Sequence, residues 1–202
     1  MREVIFDVET KKLFEEVEGW DPSKLGVSIV SCYRRELNND WQEVRGEMRS
    51  FWEKEMDKMW TWFEEADRII GFNSLGFDVP ALKPYYGNGD LSGLKHFDIM
   101  AEIKKILGHR LGLDAIAKET LGESKSGVGT QAVEWWKAGD KESLEKLKKY
   151  CEMDVVVTRN IYDHGLNEGF LKFKDKWNEL REVRVDFSYP QKKDKEEQIG
   201  LF

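Results

Sequence analysis

Four acidic residues of the 202-residue chain lie inside apolar segments, where a carboxylate is least expected. Asp7 and Glu9 occur in FDVET, Asp78 occurs in GFNSLGFDVPAL, and Asp154 occurs in YCEMDVVVT. An ionised carboxylate that leaves water needs hydrogen bonds or a cation to offset its lost hydration. If the elements that carry these residues converge, the four carboxylates form a site for divalent metal ions, which prefer hard oxygen ligands.

The first two acids lie at the end of a predicted strand. The pattern of residues 2–9 predicts a buried strand in which Asp7 and Glu9, two positions apart, project from the same face. The pair lies at the C-terminal end of this strand, where the ligands of open α/β sheets collect. Taken alone, an Asp-x-Glu pair is more often two surface acids at the point where a strand meets solvent.

Asp78 follows another predicted strand. Residues 68–72 form that strand, Asn73 closes it, and Asp78 begins a short predicted helix over residues 78–86. Taken alone, this position is better explained by helix capping, a common role for aspartate.

Asp154 lies in a long predicted helix that Asp140 caps and that runs to about residue 165. Helical spacing places Asp154 on the same face as Leu147, Tyr150 and Cys151, which is the apolar face. Asp154 and Tyr150 therefore point inward, one helical turn apart. The alternative is a buried hydrogen bond between Asp154 and Tyr150 that serves the structure alone.

The remaining pattern predicts the elements that would position these residues. We expect further strands over 27–33 and 41–48, helices over 52–65, 113–121 and 130–138, a short strand or turn followed by a helix over 97–107, and a hairpin formed by 170–174 and 182–187. Strands first, and then strands mixed with helices, predict an α/β fold with a mixed sheet flanked by helices.

Length and composition predict one domain over residues 1–188 and a flexible tail over 189–202. The formal net charge of -7 argues against broad nonspecific binding of polyanions, but it does not exclude an enzyme that acts on nucleic acid. Cys32 and Cys151 lie far apart without metal-ligand spacing, so we expect packed thiols in a reducing cytoplasm. We expect neither a signal peptide nor a membrane-spanning segment.

The acidic segments together resemble the motifs of the DEDD superfamily of 3′–5′ exonucleases, which have an RNase H-like fold. The first motif of that superfamily, Asp-x-Glu on the first strand, matches Asp7-Val8-Glu9. The second motif, an asparagine followed by an aromatic–aspartate pair, matches Asn73 and Phe77-Asp78.

The third motif exists in a tyrosine type and a histidine type, and Tyr150-x-x-x-Asp154 matches the tyrosine type. The histidine type would need histidine at the position of Lys149. The resemblance covers residues 2 to about 165. The middle of the chain, with HFDIM and LGLDAIAKETLG, looks most like the stand-alone predicted RNase H-like exonucleases of bacteria.

The resemblance implies a metal-dependent 3′–5′ exonuclease that uses two Mg²⁺ or Mn²⁺ ions. Asp7, Glu9 and Asp154 would hold the ion beside the attacking water. Asp7 would bridge to the second ion, and Asp78 would lie nearby or act through water. Tyr150 would orient the nucleophile, because its ordinary pKa of about 10 makes it a poor base.

Candidates for substrate binding are less sharply defined. The resemblance implies that Thr10 offers its backbone N–H to the terminal nucleotide, and Asn73 is a further candidate. Lys125, in the loop GESKSGVG, could contact the phosphate backbone or simply be solvated. Trp20 could stack on a base or pack against the protein.

The last residues carry a separate signal. The segment QIGLF resembles the Q-L-x-L-F peptide with which bacterial proteins dock into the sliding clamp of DNA replication. The resemblance implies that Gln198, Ile199, Leu201 and Phe202 bind this partner, which would favour DNA as the substrate. The alternative is a frayed apolar terminus, or one that packs on its own domain.

Two other functions remain open at this stage. One is an exoribonuclease that trims RNA, because nothing in the motifs selects the sugar. The other is an adaptor that docks on the clamp and only binds nucleic acid through a nuclease fold. The presence of all four acids and Tyr150 argues against an inactive adaptor.

Overall fold

A mixed sheet of five strands forms the centre of the computed structural model, which describes residues 1–122 and 129–189. The strands are β1 (Arg2–Thr10), β2 (Val27–Leu37), β3 (Glu43–Trp52), β4 (Arg68–Gly71) and β5 (His96–Asp98). Their order in the sheet is β3-β2-β1-β4-β5. The first three strands pair antiparallel, whereas β4 runs parallel to β1 and β5 runs parallel to β4. The C-terminal ends of β1, β4 and β5 therefore meet at one edge of the sheet.

Helices cover both faces of this sheet, which confirms the predicted fold class. The α-helices of the described residues are α1 (Trp60–Glu64), α2 (Asp78–Leu82), α3 (Ile99–Leu107), α4 (Leu113–Leu121), α5 (Gly129–Ala138) and α6 (Lys141–Glu168). A separate antiparallel pair of strands follows, formed by β6 (Leu171–Lys174) and β7 (Leu180–Val183).

Two local predictions are wrong. The helix predicted over 52–65 begins late, because Trp52 still pairs with Ile29 of β2 and Glu53–Lys58 forms a 3-10 helix before α1. The second strand of the hairpin lies earlier than 182–187. Asn178 adopts a left-handed conformation and closes a short turn, so that pairing begins when Lys174 meets Leu180.

Alternation along β1 separates the two halves of the core. Val4, Phe6 and Val8 face the cluster that includes α1 and α2, whereas Ile5 faces the cluster that includes α3, α4 and α6. Asp7 shares the face of Ile5, as predicted, and so points towards α6. The predicted cap of α6 is also confirmed, because Asp140 accepts hydrogen bonds from the first backbone N–H groups of that helix.

A buried network of charged groups lies at the N-terminal end of β1. Glu3 accepts a hydrogen bond of 2.6 Å from Arg35 and one of 2.9 Å from the hydroxyl of Tyr162. Arg35 also makes two hydrogen bonds to Asp163 of α6. The network joins β1 and β2 to α6.

Arg68 fixes the last described residues to this end of the sheet. Its guanidinium donates to the hydroxyl of Tyr162 at 3.0 Å and to the carbonyl oxygens of Phe187 and Ser188 at 2.6 Å each. It also lies 3.6 Å from the ring centre of Tyr189. The ring of Phe187 packs where Gly165 leaves room, since a Cβ atom there would lie 2.2 Å from the ring.

Replacing Arg68 with alanine should therefore destabilise the protein strongly. Arg68 is only 4% exposed, and the change removes the three hydrogen bonds of its guanidinium. The carbonyl oxygens of Phe187 and Ser188 then lose this donor. We expect the free energy of unfolding in urea to fall by about 2–5 kcal/mol. The control is Arg181→Ala, which removes an exposed ion pair to Asp175 and should change that free energy little. Equal losses in the two variants would contradict a structural role for the network.

Candidate functional site

Three carboxylates meet at the C-terminal end of β1. One oxygen atom each of Asp7, Glu9 and Asp154 lies within 4.8 Å of the other two. Glu9 and Asp154 are buried and Asp7 is half-buried. Negative charges at this separation in a partly dry environment repel one another, so the group favours a bound cation.

The chemistry of these three side chains fits Mg²⁺ or Mn²⁺. All three offer carboxylate oxygens, which are the hard ligands that these ions prefer over nitrogen and sulfur. Two of the ligands come from one face of β1 and the third from the buried face of α6, so the strand and the helix together define the site.

Asp78 lies beside this group but outside it. It is the first residue of α2, and Phe77 occupies the cap position, so the capping alternative does not explain Asp78. Burial, with smaller contributions from the charges of Asp98 and Asp154, raises the pKa of Asp78 to about 7. Without a metal ion, this carboxyl group is therefore partly protonated at neutral pH.

The loop that carries Asp78 has little freedom. Asn73 adopts a positive φ of 64°, a conformation that asparagine tolerates better than most residues. A Cβ atom at Gly71 would lie 2.5 Å from the side chain of Ser74, and one at Gly76 would lie 2.8 Å from that of Asn73. The glycines thus allow the tight turn that delivers Asp78 to the edge of the sheet.

Asp98 holds this loop in place, a role that the sequence interpretation missed. Its carboxylate accepts hydrogen bonds from the backbone N–H groups of Asn73 at 2.8 Å and Leu75 at 2.9 Å. It also accepts one from Ala101, at 3.1 Å, and so caps α3. The available signal was an aspartate that ends the short segment HFD directly before a predicted helix.

Tyr150 lies one turn before Asp154 on the buried face of α6, as the helical spacing predicted. Its ring makes an edge contact with Trp135 of α5, with 5.8 Å between the ring centres. This contact limits the rotation of the tyrosine ring beside the carboxylates.

Cys151 supports Asp7, a second role that the sequence interpretation missed. Its thiol lies 3.5 Å from the carbonyl oxygen of Asp7 and 3.7 Å from a carboxylate oxygen of the same residue. Burial and the charge of Asp7 raise the pKa of the Cys151 thiol, which therefore stays neutral and can donate a hydrogen bond.

The proposed substrate-binding residues have different placements. Thr10 ends β1, and its hydroxyl donates to the carbonyl oxygen of Lys12 at 2.9 Å. Asn73 lies in the loop before Asp78. Trp20 lies in the loop after β1 and is exposed. Five further residues proposed for binding lie outside the described residues, and these are Lys125, Gln198, Ile199, Leu201 and Phe202.

Comparison with known proteins agrees with this architecture. The family model RNase_H_2, described as RNase_H superfamily, matches residues 4–166. The chain belongs to the RNase_H superfamily. Its mixed sheet and flanking helices have the RNase H-like fold that the resemblance implied. No curated protein matched in the sequence comparison.

A solved structure supports the same fold. The family B DNA polymerase from the hyperthermophilic archaeon Pyrobaculum calidifontis is similar to this chain, with a TM-score of 0.59 and 19% sequence identity. The similarity covers 82% of this chain and 24% of the polymerase chain. At this identity the likeness shows a shared fold. Among residues 1–122 and 129–189, no helix is long and apolar enough to cross a membrane.

Replacing Asp78 with asparagine should stabilise the metal-free protein at neutral and higher pH. The pKa of Asp78 is about 7 in the folded protein and about 4 in an unfolded chain. Between these values the folded state binds the additional proton, so stability falls as pH rises, and the full penalty applies above the folded pKa. We expect Asp78→Asn to raise the free energy of unfolding by roughly 1–4 kcal/mol near pH 8 and to have almost no effect near pH 4.

The measurement is urea unfolding in the presence of a chelator across this pH range. Asp90→Asn is the matched control, because hydrogen bonds from Ser92 lower the pKa of that exposed carboxyl group. The control variant should show no gain at high pH. A loss of stability in Asp78→Asn near pH 8 would show that the ionised side chain of Asp78 does not destabilise the folded protein.

Proposed function

We propose that this protein is a metal-dependent 3′–5′ exonuclease that removes nucleotides from DNA with two Mg²⁺ or Mn²⁺ ions. The observation that carries the proposal is the group of Asp7, Glu9 and Asp154, whose oxygen atoms lie within 4.8 Å of one another at the edge of the sheet. A buried fourth acid, Asp78, lies beside them. This arrangement supports phosphodiester hydrolysis better than a structural role, because three carboxylates this close repel one another and a bound divalent ion offsets that repulsion.

The four acids would bind two different metal ions. Asp7, Glu9 and Asp154 would hold one ion, and Asp7 and Asp78 would face the second, with Asp78 acting directly or through water. Bound divalent ions supply positive charge for the phosphoryl oxygens and a more acidic water molecule at neutral pH. The chain itself fixes the positions of the carboxylates. Cys151 contacts Asp7, and Asp98 holds the loop that leads to Asp78.

Tyr150 would position the attacking water by a hydrogen bond from its hydroxyl. The contact with Trp135 orients the ring, so little freedom is lost when substrate binds. A tyrosine hydroxyl carries one O–H donor, which suits the positioning of a water molecule.

Polarity and substrate rest on the resemblance in sequence. The order of the three motifs supports 3′–5′ hydrolysis, and the segment QIGLF at residues 198–202 supports DNA through docking on a sliding clamp. Clamp binding stays a prediction, because those residues lie outside the described part of the chain.

End-labelled oligonucleotides test this function directly. Single-stranded DNA, frayed duplex DNA and RNA of the same sequence are incubated with Mg²⁺ or Mn²⁺, and the products are resolved by length. A 5′ label should give a ladder that shortens stepwise, whereas a 3′ label should release a mononucleotide at once. We expect Asp154→Asn to reduce the rate at least about a hundredfold, because it weakens one ligand of the cluster while leaving its shape nearly unchanged.

The control is Asp114→Asn, an exposed aspartate in the first turn of α4, which should keep the wild-type rate. Circular dichroism checks that both variants fold. Activity of Asp154→Asn within tenfold of wild type would rule out this site. Faster digestion of RNA than of DNA would replace the proposed substrate by RNA.

A further inference from the structure

A row of three aromatic rings leads from the carboxylate site to the surface. Phe77 directly precedes Asp78, and its ring centre lies 6.0 Å from that of Phe14 in an edge contact. The ring centre of Phe14 lies 4.9 Å from that of Trp20. Trp20 is 82% exposed, the highest value among the large hydrophobic side chains of the described residues. The row therefore ends in an indole with an open face.

The segment around Trp20 has defined contacts on both sides of this residue. Gly19 adopts a positive φ of 77°, which turns the chain immediately before the indole. The Lys24 ammonium donates to the carbonyl oxygen of Glu18 at 3.2 Å, and Asp21 accepts a hydrogen bond from the backbone of Ser23 at 3.0 Å. These contacts fix the backbone on both sides of Trp20 and leave its side chain exposed.

A second contact ties the beginning of this loop to the opposite side of the site. The side chains of Glu16 and Lys137 form an ion pair of 2.6 Å between the loop and α5. Helix α5 also supplies Trp135, which contacts Tyr150. The loop that carries Trp20 is thus connected to both sides of the carboxylate site.

We propose that the face of Trp20 stacks on an unpaired base of the strand whose end enters the carboxylate site. This inference rests on the proposed function and specifies its substrate as single-stranded or frayed ends. Base–aromatic stacking suits the role because every base offers a π-face, so binding does not depend on sequence. A base that is already stacked inside a duplex has no free face for the indole.

The position of Trp20 sets how far from the cleaved end this contact lies. Two ring-to-ring steps place its centre at most about 11 Å from that of Phe77. At a spacing of about 3.4 Å for stacked bases, this distance corresponds to roughly three nucleotides. This upper bound places the contacted base within about three nucleotides of Phe77. We expect that base to lie upstream of the nucleotide that is removed, so a substrate of a single nucleotide should not reach Trp20.

Charge near Trp20 indicates contact with the base rather than with the phosphates. The exposed acids of this loop outnumber its exposed lysines, with Glu15, Glu16, Glu18 and Asp21 against Lys12 and Lys24. No net positive field surrounds these exposed loop residues. The contribution of Trp20 should then be nearly independent of salt, unlike contacts between lysine or arginine and phosphate.

Binding measurements test the inference without depending on hydrolysis. A labelled single strand of about 12 nucleotides is titrated by fluorescence anisotropy with the protein in the Asp154→Asn background. Trp20→Ala should weaken binding about five- to a hundredfold, which is the loss expected for one stacked base, and Trp20→Phe should restore most of it. The ratio between the two affinities should stay constant from about 50 to 200 mM salt.

Three controls make the test specific. Trp177→Ala removes another exposed indole, 69% exposed in the turn between β6 and β7, and should bind like the parent protein. A blunt hairpin duplex should bind equally to the parent and to Trp20→Ala. With Asp154 intact, a nitrophenyl ester of thymidine 5′-phosphate should be hydrolysed at the same rate with or without the Trp20 change, because it has no upstream base.

The outcomes separate this inference from the proposed function. If hydrolysis depends on Asp154 but Trp20→Ala binds single strands normally, the stacking site is excluded and the exonuclease stands. If Trp20→Ala weakens single-strand binding selectively but no substrate is hydrolysed, the stacking site stands and the enzymatic function fails. Equal weakening for duplex and single strand would overturn the inference.

Discussion

Repulsion between carboxylates at one end of β1 is the constraint on which the rest of the structure depends. Asp7, Glu9 and Asp154 bring oxygen atoms within 4.8 Å of one another, and buried Asp78 adds a fourth acid beside them. Such a group does not form by itself, because each added negative charge raises the free energy of the others. The sheet and α6 must hold these residues together against that repulsion.

The acidic side chains at the two ends of β1 have different surroundings. At one end, Glu3 meets Arg35 and the hydroxyl of Tyr162, so its charge is balanced within the protein. At the other end, the carboxylates of Asp7 and Glu9 face that of Asp154. The network around Glu3 connects β1, β2 and α6, and this frame keeps the carboxylates of the strand and the helix close enough to bind a cation.

Sequence periodicity predicted the parts of the site that depend on regular elements. A period of two placed Asp7 and Glu9 on one face of β1, and a period of 3.6 placed Tyr150 and Asp154 on the buried face of α6. In both cases the apolar neighbours decide which face is buried, and these are visible in the sequence. Local pattern was sufficient there because one element carries both residues.

Periodicity could not predict what depends on contacts between elements. Asp98 holds the loop before Asp78 across 23 to 25 positions of the chain, and Cys151 reaches Asp7 across 144. The prediction of a helix over 52–65 was wrong for a related reason. Pairing between Trp52 and Ile29 extends β3 to the first residue of that range. The row of rings that ends at Trp20 likewise required the relative positions of the loop and α2.

Metal binding by the purified protein tests the central claim most directly. Mn²⁺ can be titrated by calorimetry while electron paramagnetic resonance follows the free ion, and thermal unfolding can be recorded at each concentration. If the carboxylates are held together for cations, about two Mn²⁺ ions should bind per chain, the unfolding temperature should rise with occupancy, and Asp7→Asn should weaken both effects. Binding that is unchanged by Asp7→Asn, or the absence of stabilisation by Mg²⁺ and Mn²⁺ at millimolar concentration, would contradict the account.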